Sequence, residues 1–431
     1  MSMKRLFRYM AFAAAVIIAA AGCNKPESGS KTPTPTPTPT PAKDSKTVIA
    51  YFFGTSLSYY FGGNISAMNR AVGENFMAEN QRLLLFYQRN STTAEIQEIR
   101  YDSKNRTTET TVLETVSLDR VLDAQTFAAN LKKVMDYAPA DSYSLILLGH
   151  STAWLPKTPA VSTYRLGGYR PSLAPMEGAE ITRHLGEKST DLDIDELAEG
   201  LAATGVKFDC LYFDVCFMSS LESAYALRNT TGYIIGSPCE IMGYGSPYDK
   251  ILKPLFANDY RSVCEEFYKF YTSYDYPSGC IATIDCSKLE AVAAAAKRIN
   301  AAATAAGFNI QNVQAYEGRS DHWFFDAGDY YSQICSDAQL AAAFGESLDK
   351  CVINRYHTQS YYSAYNSKMN AVDFYSGINI TPDEKCIEAI VARLGEMDGK
   401  GSAYSALEAQ KQILEYYNQS LKQTAWYKAT H

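Results

Sequence analysis

The stretch Phe208–Glu222 constrains the fold more tightly than any other part of the chain. Phe208 to Phe213 is an unbroken apolar run of β-type residues, the pattern of a strand covered on both faces. Asp214 breaks the run and Cys216 follows. From Ser219 the spacing turns helical, with Leu221, Ala224, Tyr225 and Arg228 on one period and Ser219 or Ser220 as the N-cap. Strand, sharp turn and helix lift a side chain to the C-terminal edge of a parallel sheet, where open α/β folds keep their sites. A thiol beside a helix N-terminus is also biased toward thiolate. Cys216 therefore sits where a nucleophile would be built.

The rest of the chain supplies the sheet. Val48–Phe53 and Leu83–Tyr87 read as strands, with a helix over Ile65–Glu79 between them, which makes a β-α-β crossover. Tyr101–Ser117, rich in Thr and Val, reads as a small hairpin excursion. A helix over Phe127–Tyr137 leads into the strand Tyr143–Gly149, and Asp191–Leu197 opens another helix with acidic residues in its first turn. Strands follow at Tyr233–Ser237 and Cys280–Asp285, then helices over Leu289–Ala303, Ala338–Val352 and Asp383–Asp398, with a β-type segment at Asn370–Ile380. Strands alternating with helices predict an α/β fold, a mostly parallel sheet with helices on both faces and a helical/β C-terminal extension packed on it.

A thiol nucleophile needs a base, and the chain holds five histidines. His184 and His357 stand in polar stretches, His431 is the last residue, and His322 precedes Trp-Phe-Phe, away from any expected strand end. His150 directly follows the buried run Tyr143–Gly149. Two adjacent parallel strands that end in His and Cys bring both side chains to one sheet edge, the arrangement of nucleophilic Cys/His catalysis. Taken alone, these residues fit a buried structural cysteine and a loop histidine equally well.

Three blocks then carry a resemblance. Leu-Leu-Gly-His-Ser-Thr-Ala-Trp154, Phe-Asp-Val-Cys-Phe-Met-Ser-Ser-Leu-Glu222, and Tyr233-Ile-Ile-Gly-Ser-Pro238 with Gly-Tyr-Gly-Ser-Pro-Tyr248, in this order, resemble the clostripain family of cysteine peptidases. The resemblance runs with gaps from about Thr47 to the end of the chain. It implies a caspase-like fold with six strands in its central sheet, and cleavage after Arg or Lys by a dyad of His150 and Cys216. It also implies an oxyanion hole from the backbone N–H groups of Ser151 and Cys216, and Asp214 as the substrate-binding residue for a basic P1 side chain. A carboxylate that close to the thiol makes chemical sense when a cation meets it; the other reading is a strand-terminal Asp capping nearby N–H groups. Two family glycines are replaced, by Ser151 and Ala153, so the backbone at these positions must suit a side chain. No residue orienting His150 is visible in the sequence, and Glu222 and Glu240 fall within the matching blocks without an assigned role.

Ahead of the globular part, Lys4, Arg5 and Arg8 precede the apolar run Met10–Ala21, and Ala-Ala-Gly-Cys23 follows. Residues 1–22 read as a lipoprotein signal peptide with Cys23 as the lipidation site, and 23–46 as a Thr-Pro-rich tether. The run is too short to span a membrane comfortably. Residues 47–290 are expected to form the peptidase core and 291–431 the C-terminal part. The implied location is the bacterial cell envelope, at the outer membrane or cell surface. Trp154–Asp191 is long, rich in Pro and Gly, and carries Arg165 and Arg170, the preferred candidates for self-cleavage.

Composition bounds the partners. A net charge of −7 and the lack of a basic stripe argue against nucleic acid. The ten cysteines follow neither a disulfide nor a zinc spacing, so most are expected to be small buried hydrophobes. The chemistry requires no cofactor and no catalytic metal; calcium stays open, since no motif decides it. A non-catalytic surface lipoprotein that uses the same scaffold to bind peptides or glycans is the alternative, favoured modestly by Ser151 and by thirty-two tyrosines.

Overall fold

The computed structural model describes residues 45–118, 122–156, 192–318, 322–382 and 418–431. The signal segment, Cys23, most of the tether, Arg165, Arg170 and the expected helix at Asp383–Asp398 lie outside the described residues. The described residues hold a nine-stranded sheet. Its parallel heart is β1 (Lys46–Phe52), β2 (Gln81–Gln88), β5 (Ser142–Leu148), β6 (Phe208–Asp214) and β7 (Thr231–Gly236). These strands are almost wholly buried, as their unbroken apolar runs require.

The sheet is wider than the six strands implied by the resemblance. β3 (Thr93–Asp102) and β4 (Thr107–Ser117) pair antiparallel on the β2 side, and β8 (Cys280–Asp285) and β10 (Val352–His357) close the other side. The order is β10-β8-β7-β6-β5-β1-β2-β3-β4, so the expected hairpin excursion is an extension of the sheet. β3 escaped the sequence reading because its charged residues, Glu95, Glu98 and Arg100, mask the apolar set Ala94, Ile96 and Ile99. β10 lies beyond residue 290 yet pairs with β8, so the sheet itself crosses the expected division between core and C-terminal part.

The first helix, α1 (Ser58–Gly73), begins earlier and ends earlier than the expected Ile65–Glu79. Gly62 and Gly63 lie inside it with nothing near the place a side chain would take, so they cost only helix propensity. The helix stops where Asn75 turns to φ +52°. α2 (Ala124–Tyr137) is capped by Asp123 and α3 (Ile194–Ala203) by a capping box of Asp193 and Glu196. α4 (Leu221–Leu227) is capped by Ser220; α5 (Tyr248–Phe256) and α6 (Tyr260–Thr272) follow β7.

Direction decides which face each helix covers. The chain runs from β1 to β2 one way and from β5 through β6 to β7 the other way. Right-handed crossovers therefore place α1 on one face and α3 and α4 on the opposite face. α1 packs on α5 and α5 on α6, whereas α2 packs on α3 and α3 on α4. The reversal falls between β1 and β5, so the topological switch point lies at the C-terminal ends of these strands.

C-terminal to this, α9 (Ala338–Cys351) packs against both α7 (Leu289–Asn300) and α8 (Ala327–Ile334), and α10 (Ala425–Thr430) sits against α4 and α7. Two small ladders accompany them: β9 (Phe325–Asp326) with β13 (Asn379–Ile380), and β11 (Ser360–Ser363) with β12 (Lys368–Ala371). Among the described residues no helix is long and apolar enough to cross a membrane.

Candidate active site

β5 and β6 run parallel with Leu148 opposite Asp214. His150 and Cys216 each lie two residues past this pair, so both leave the same sheet edge at the same height. The edge is the C-terminal one, beside the switch point.

The histidine loop is tightly packed from below. Phe53 N–H donates to Leu148 O at 2.8 Å, and a Cβ on Gly149 would lie 3.0 Å from Phe53 Cβ and 3.2 Å from Phe53 O. Only glycine allows this approach. The β1 end that makes the contact continues to Ser56, whose Oγ lies 2.9 Å from His150 Nε2. Ser56 is thus the orienting partner that the sequence did not reveal. Its signal was indirect: it follows a buried strand that the β-α-β crossover already places at the same sheet edge.

The two glycine replacements resolve differently. Ser151 keeps an ordinary backbone, whereas Ala153 adopts φ +54°. Its N–H donates to Ser151 Oγ at 3.0 Å, which holds that turn. A left-handed alanine costs about 1 kcal/mol or more relative to glycine. Among the described residues, no acceptor takes the Ser151 N–H.

Cys216 is fully buried, and its Sγ accepts a hydrogen bond from Ile241 N–H at 3.1 Å. An N–H donor stabilises negative charge on sulfur. The next residue, Phe217, adopts φ +64°, a conformation that a bulky side chain reaches only when its surroundings enforce it. Three contacts enforce it here: Phe217 N–H donates to Cys239 O at 3.1 Å, its carbonyl accepts from Asn379 Nδ2 at 3.0 Å, and its ring stacks on Phe324 at 4.6 Å. Elsewhere the cysteines are inert core. All eight described ones are free and buried, and burial pushes Cys264 and Cys286 up to about 12.

Asp214, at the end of β6, is also fully buried. Its Oδ2 accepts from Tyr248 Oη at 2.6 Å and from Ser246 N–H at 3.1 Å. The carboxylate therefore ties down the turn that opens α5. A strand-terminal Asp thus caps a nearby N–H group, two residues from the thiol.

A second set of residues reaches the site from far along the chain. Ser220 is the N-cap of α4, while Ser219 Oγ donates to Gly377 O at 2.6 Å. Asn379 Nδ2 bonds both Phe217 O and Pro238 O, at 3.0 and 2.9 Å. Thr381 Oγ1 accepts from Trp154 Nε1 at 2.8 Å, and Thr381 N–H donates to Glu222 Oε1 at 2.8 Å. Glu222 Oε2 accepts from Ser220 Oγ at 2.7 Å. The segment Gly377–Thr381 thus joins the histidine loop to the cysteine loop. Glu240 Oε1 anchors a neighbouring part by accepting Ala364 N–H at 3.1 Å.

Burial pushes the Glu222 carboxyl up to about 7, against the Ser220 and Thr381 donors, which lower it. The folded chain then holds the proton from about pH 4.5 to about pH 7, where the unfolded chain has lost it. Stability from this group is therefore highest in acid and declines as pH rises across that window, by roughly 3 kcal/mol in all. Glu222→Gln should flatten this slope: melting curves at pH 5 and pH 8 should lie several degrees closer together than in the parent. Parallel shifts in both proteins would contradict the role given to Glu222.

Residues 51–431 match the sequence profile of the clostripain family, Peptidase C11. The chain belongs to the clostripain family. The fold agrees: a secreted C11 cysteine protease from Bacteroides thetaiotaomicron, iotapain, is similar with a TM-score of 0.74 and 30% identity, over 90% of this chain and 99% of that one. An inactive zymogen C11 protease from Parabacteroides distasonis gives 0.69 and 25% identity, over 90% and 99%. A secreted C11 cysteine protease from B. thetaiotaomicron bound to an irreversible peptide inhibitor gives 0.65 at 22% identity, over 88% and 99%, a likeness of fold. No curated protein matches the sequence. The clostripain-family chain described here is accordingly a cysteine peptidase with a caspase-like fold, a hydrolase acting on peptides.

Proposed function

We propose that this peptidase is a cell-envelope endopeptidase that cleaves after Arg or Lys through a dyad of His150 and Cys216. The observation that carries the reading is the register of β5 and β6, which delivers both residues to the switch-point edge. Cys216 Sγ attacks the scissile carbonyl. His150 exchanges the proton between thiol and leaving amine, and with Nε2 engaged by Ser56 the working nitrogen is Nδ1. The N–H groups of Ser151 and Cys216 hold the oxyanion, consistent with the ordinary backbone of Ser151. Asp214 meets the basic P1 side chain, its position fixed by Tyr248 and Ser246.

Cys216 and Asp214 are both fully buried, so substrate reaches them only after the edge opens. This supports a latent form that matures by cutting itself, with Arg165 and Arg170 as the sites. The Parabacteroides distasonis relative is described as an inactive zymogen, which is consistent with that order of events. Acylation at Cys23 would tether the enzyme to the envelope; relatives described as secreted fit an exported chain. Nothing in the thiol chemistry requires a metal. Hydrolysis of a peptide library varied at P1, with and without chelator, tests the reading. Turnover confined to Arg and Lys peptides is expected, and the chelator arm reports whether calcium supports it. Cleavage indifferent to P1 charge would overturn the specificity.

A further inference from the structure

Beside the dyad runs a row of aromatic rings that the chemistry above does not use. It starts at the N-terminus of α1, where Tyr59 is 87% exposed and its ring centroid lies 5.3 Å from that of Tyr60. Tyr60 meets Tyr244 edge-on at 5.6 Å, and Tyr244 meets Tyr274 at 5.6 Å. Tyr244 is 40% exposed. The row is built rather than incidental: Asn64 Nδ2 holds Tyr244 O at 2.8 Å, and Tyr271 Oη holds Gly245 O at 2.7 Å.

Its position follows from topology. Tyr59 lies three residues past Ser56, which touches His150, and Tyr244 lies two residues before Ser246, which caps Asp214. Tyr274 precedes β8, and β8 runs antiparallel to β7, so it enters the sheet at the edge where β7 ends. The row therefore borders the catalytic edge on the α1/α6 face. Partly exposed tyrosines offer large apolar faces at low entropy cost.

We infer that Tyr59, Tyr60, Tyr244 and Tyr274 form an extended subsite that binds aromatic or aliphatic residues of the substrate polypeptide next to the scissile bond. The inference rests on the peptidase reading for its direction. A peptide whose scissile bond reaches Cys216 must cross this edge, so the row lies along its path, and a polypeptide is the ligand it fits.

The test uses the matured full chain with its Cys216 thiol then blocked by a small alkylating agent, so that it binds without turnover, and labelled peptides with one central Arg. In two of them Tyr and Leu flank the Arg on its amino or carboxyl side; in a third, Ser replaces them. At least tenfold tighter binding of one Tyr/Leu peptide is expected. Tyr59→Ser, at a position too exposed to threaten folding, should cut this preference several-fold, and Tyr59→Ser with Tyr244→Ser should abolish it. Equal binding of all three peptides, or a preference that survives both replacements, would overturn the subsite. Displacement of the Tyr/Leu peptide by a neutral oligosaccharide, with no peptide preference, would make the row a glycan platform and also overturn it. The unblocked chain is assayed for cleavage of the Ser peptide in parallel. Preference without any cleavage would refute the peptidase reading alone, and cleavage without preference would refute the subsite alone.

Discussion

Cys216→Ala lowers kcat by roughly four orders of magnitude or more, because the covalent step loses its nucleophile. His150→Ala causes a loss of similar size, and the double variant is scarcely worse than either, since the two side chains act as a unit. The fold should survive. Cys216 gives up one polarisable contact with Ile241 N–H, and His150 gives up its bond to Ser56, whereas the strand pairing beneath them is untouched. Circular dichroism and melting curves of the variants, read beside single-turnover kinetics, check both halves. Cleavage by Cys216→Ala at the parent rate would show that the thiol is not the nucleophile.

Asp214→Asn gives the second large effect. It keeps volume and an oxygen that can accept from Tyr248 and Ser246, so the turn into α5 remains held. What it removes is the negative charge. A charge-assisted contact is worth about 1.5–3 kcal/mol, so kcat/KM for Arg and Lys peptides should fall by about ten- to a hundredfold. Neutral P1 peptides should change little. The structure sharpens this experiment, because Asp214 demonstrably supports a turn as well. An equal loss for every P1 residue would assign it to the turn alone.

The strand ends that carry His150 and Cys216 were legible in the sequence because buried parallel strands leave unbroken apolar runs, and Tyr143–Gly149 and Phe208–Phe213 are such runs. The residues that position the dyad were not legible. Ser56 meets His150 across 94 residues, and Asn379 meets Phe217 across 162. Such contacts depend on where the sheet order reverses and how the C-terminal segment returns, and neither leaves a local pattern. Glu222 was conspicuous but had no role until Thr381 appeared as its donor. Two strands outside the parallel heart were lost for another reason: β3 and β10 mix charged and polar side chains into their runs. Position also decided the meaning of the glycine replacements. Ser151 proved undemanding, and the strain fell on Ala153 and Phe217.

Cys216 as the nucleophile of an enzyme that reads a basic P1 residue is open to covalent labelling. A peptidyl electrophile with Arg next to its reactive carbon tests it most directly, with the adduct located by mass spectrometry. A single adduct on Cys216 is expected, formed faster than with an uncharged P1 analogue, slowed by Asp214→Asn and nearly abolished by His150→Ala. An adduct on any other cysteine, or equal labelling by the charged and uncharged probes, would contradict it.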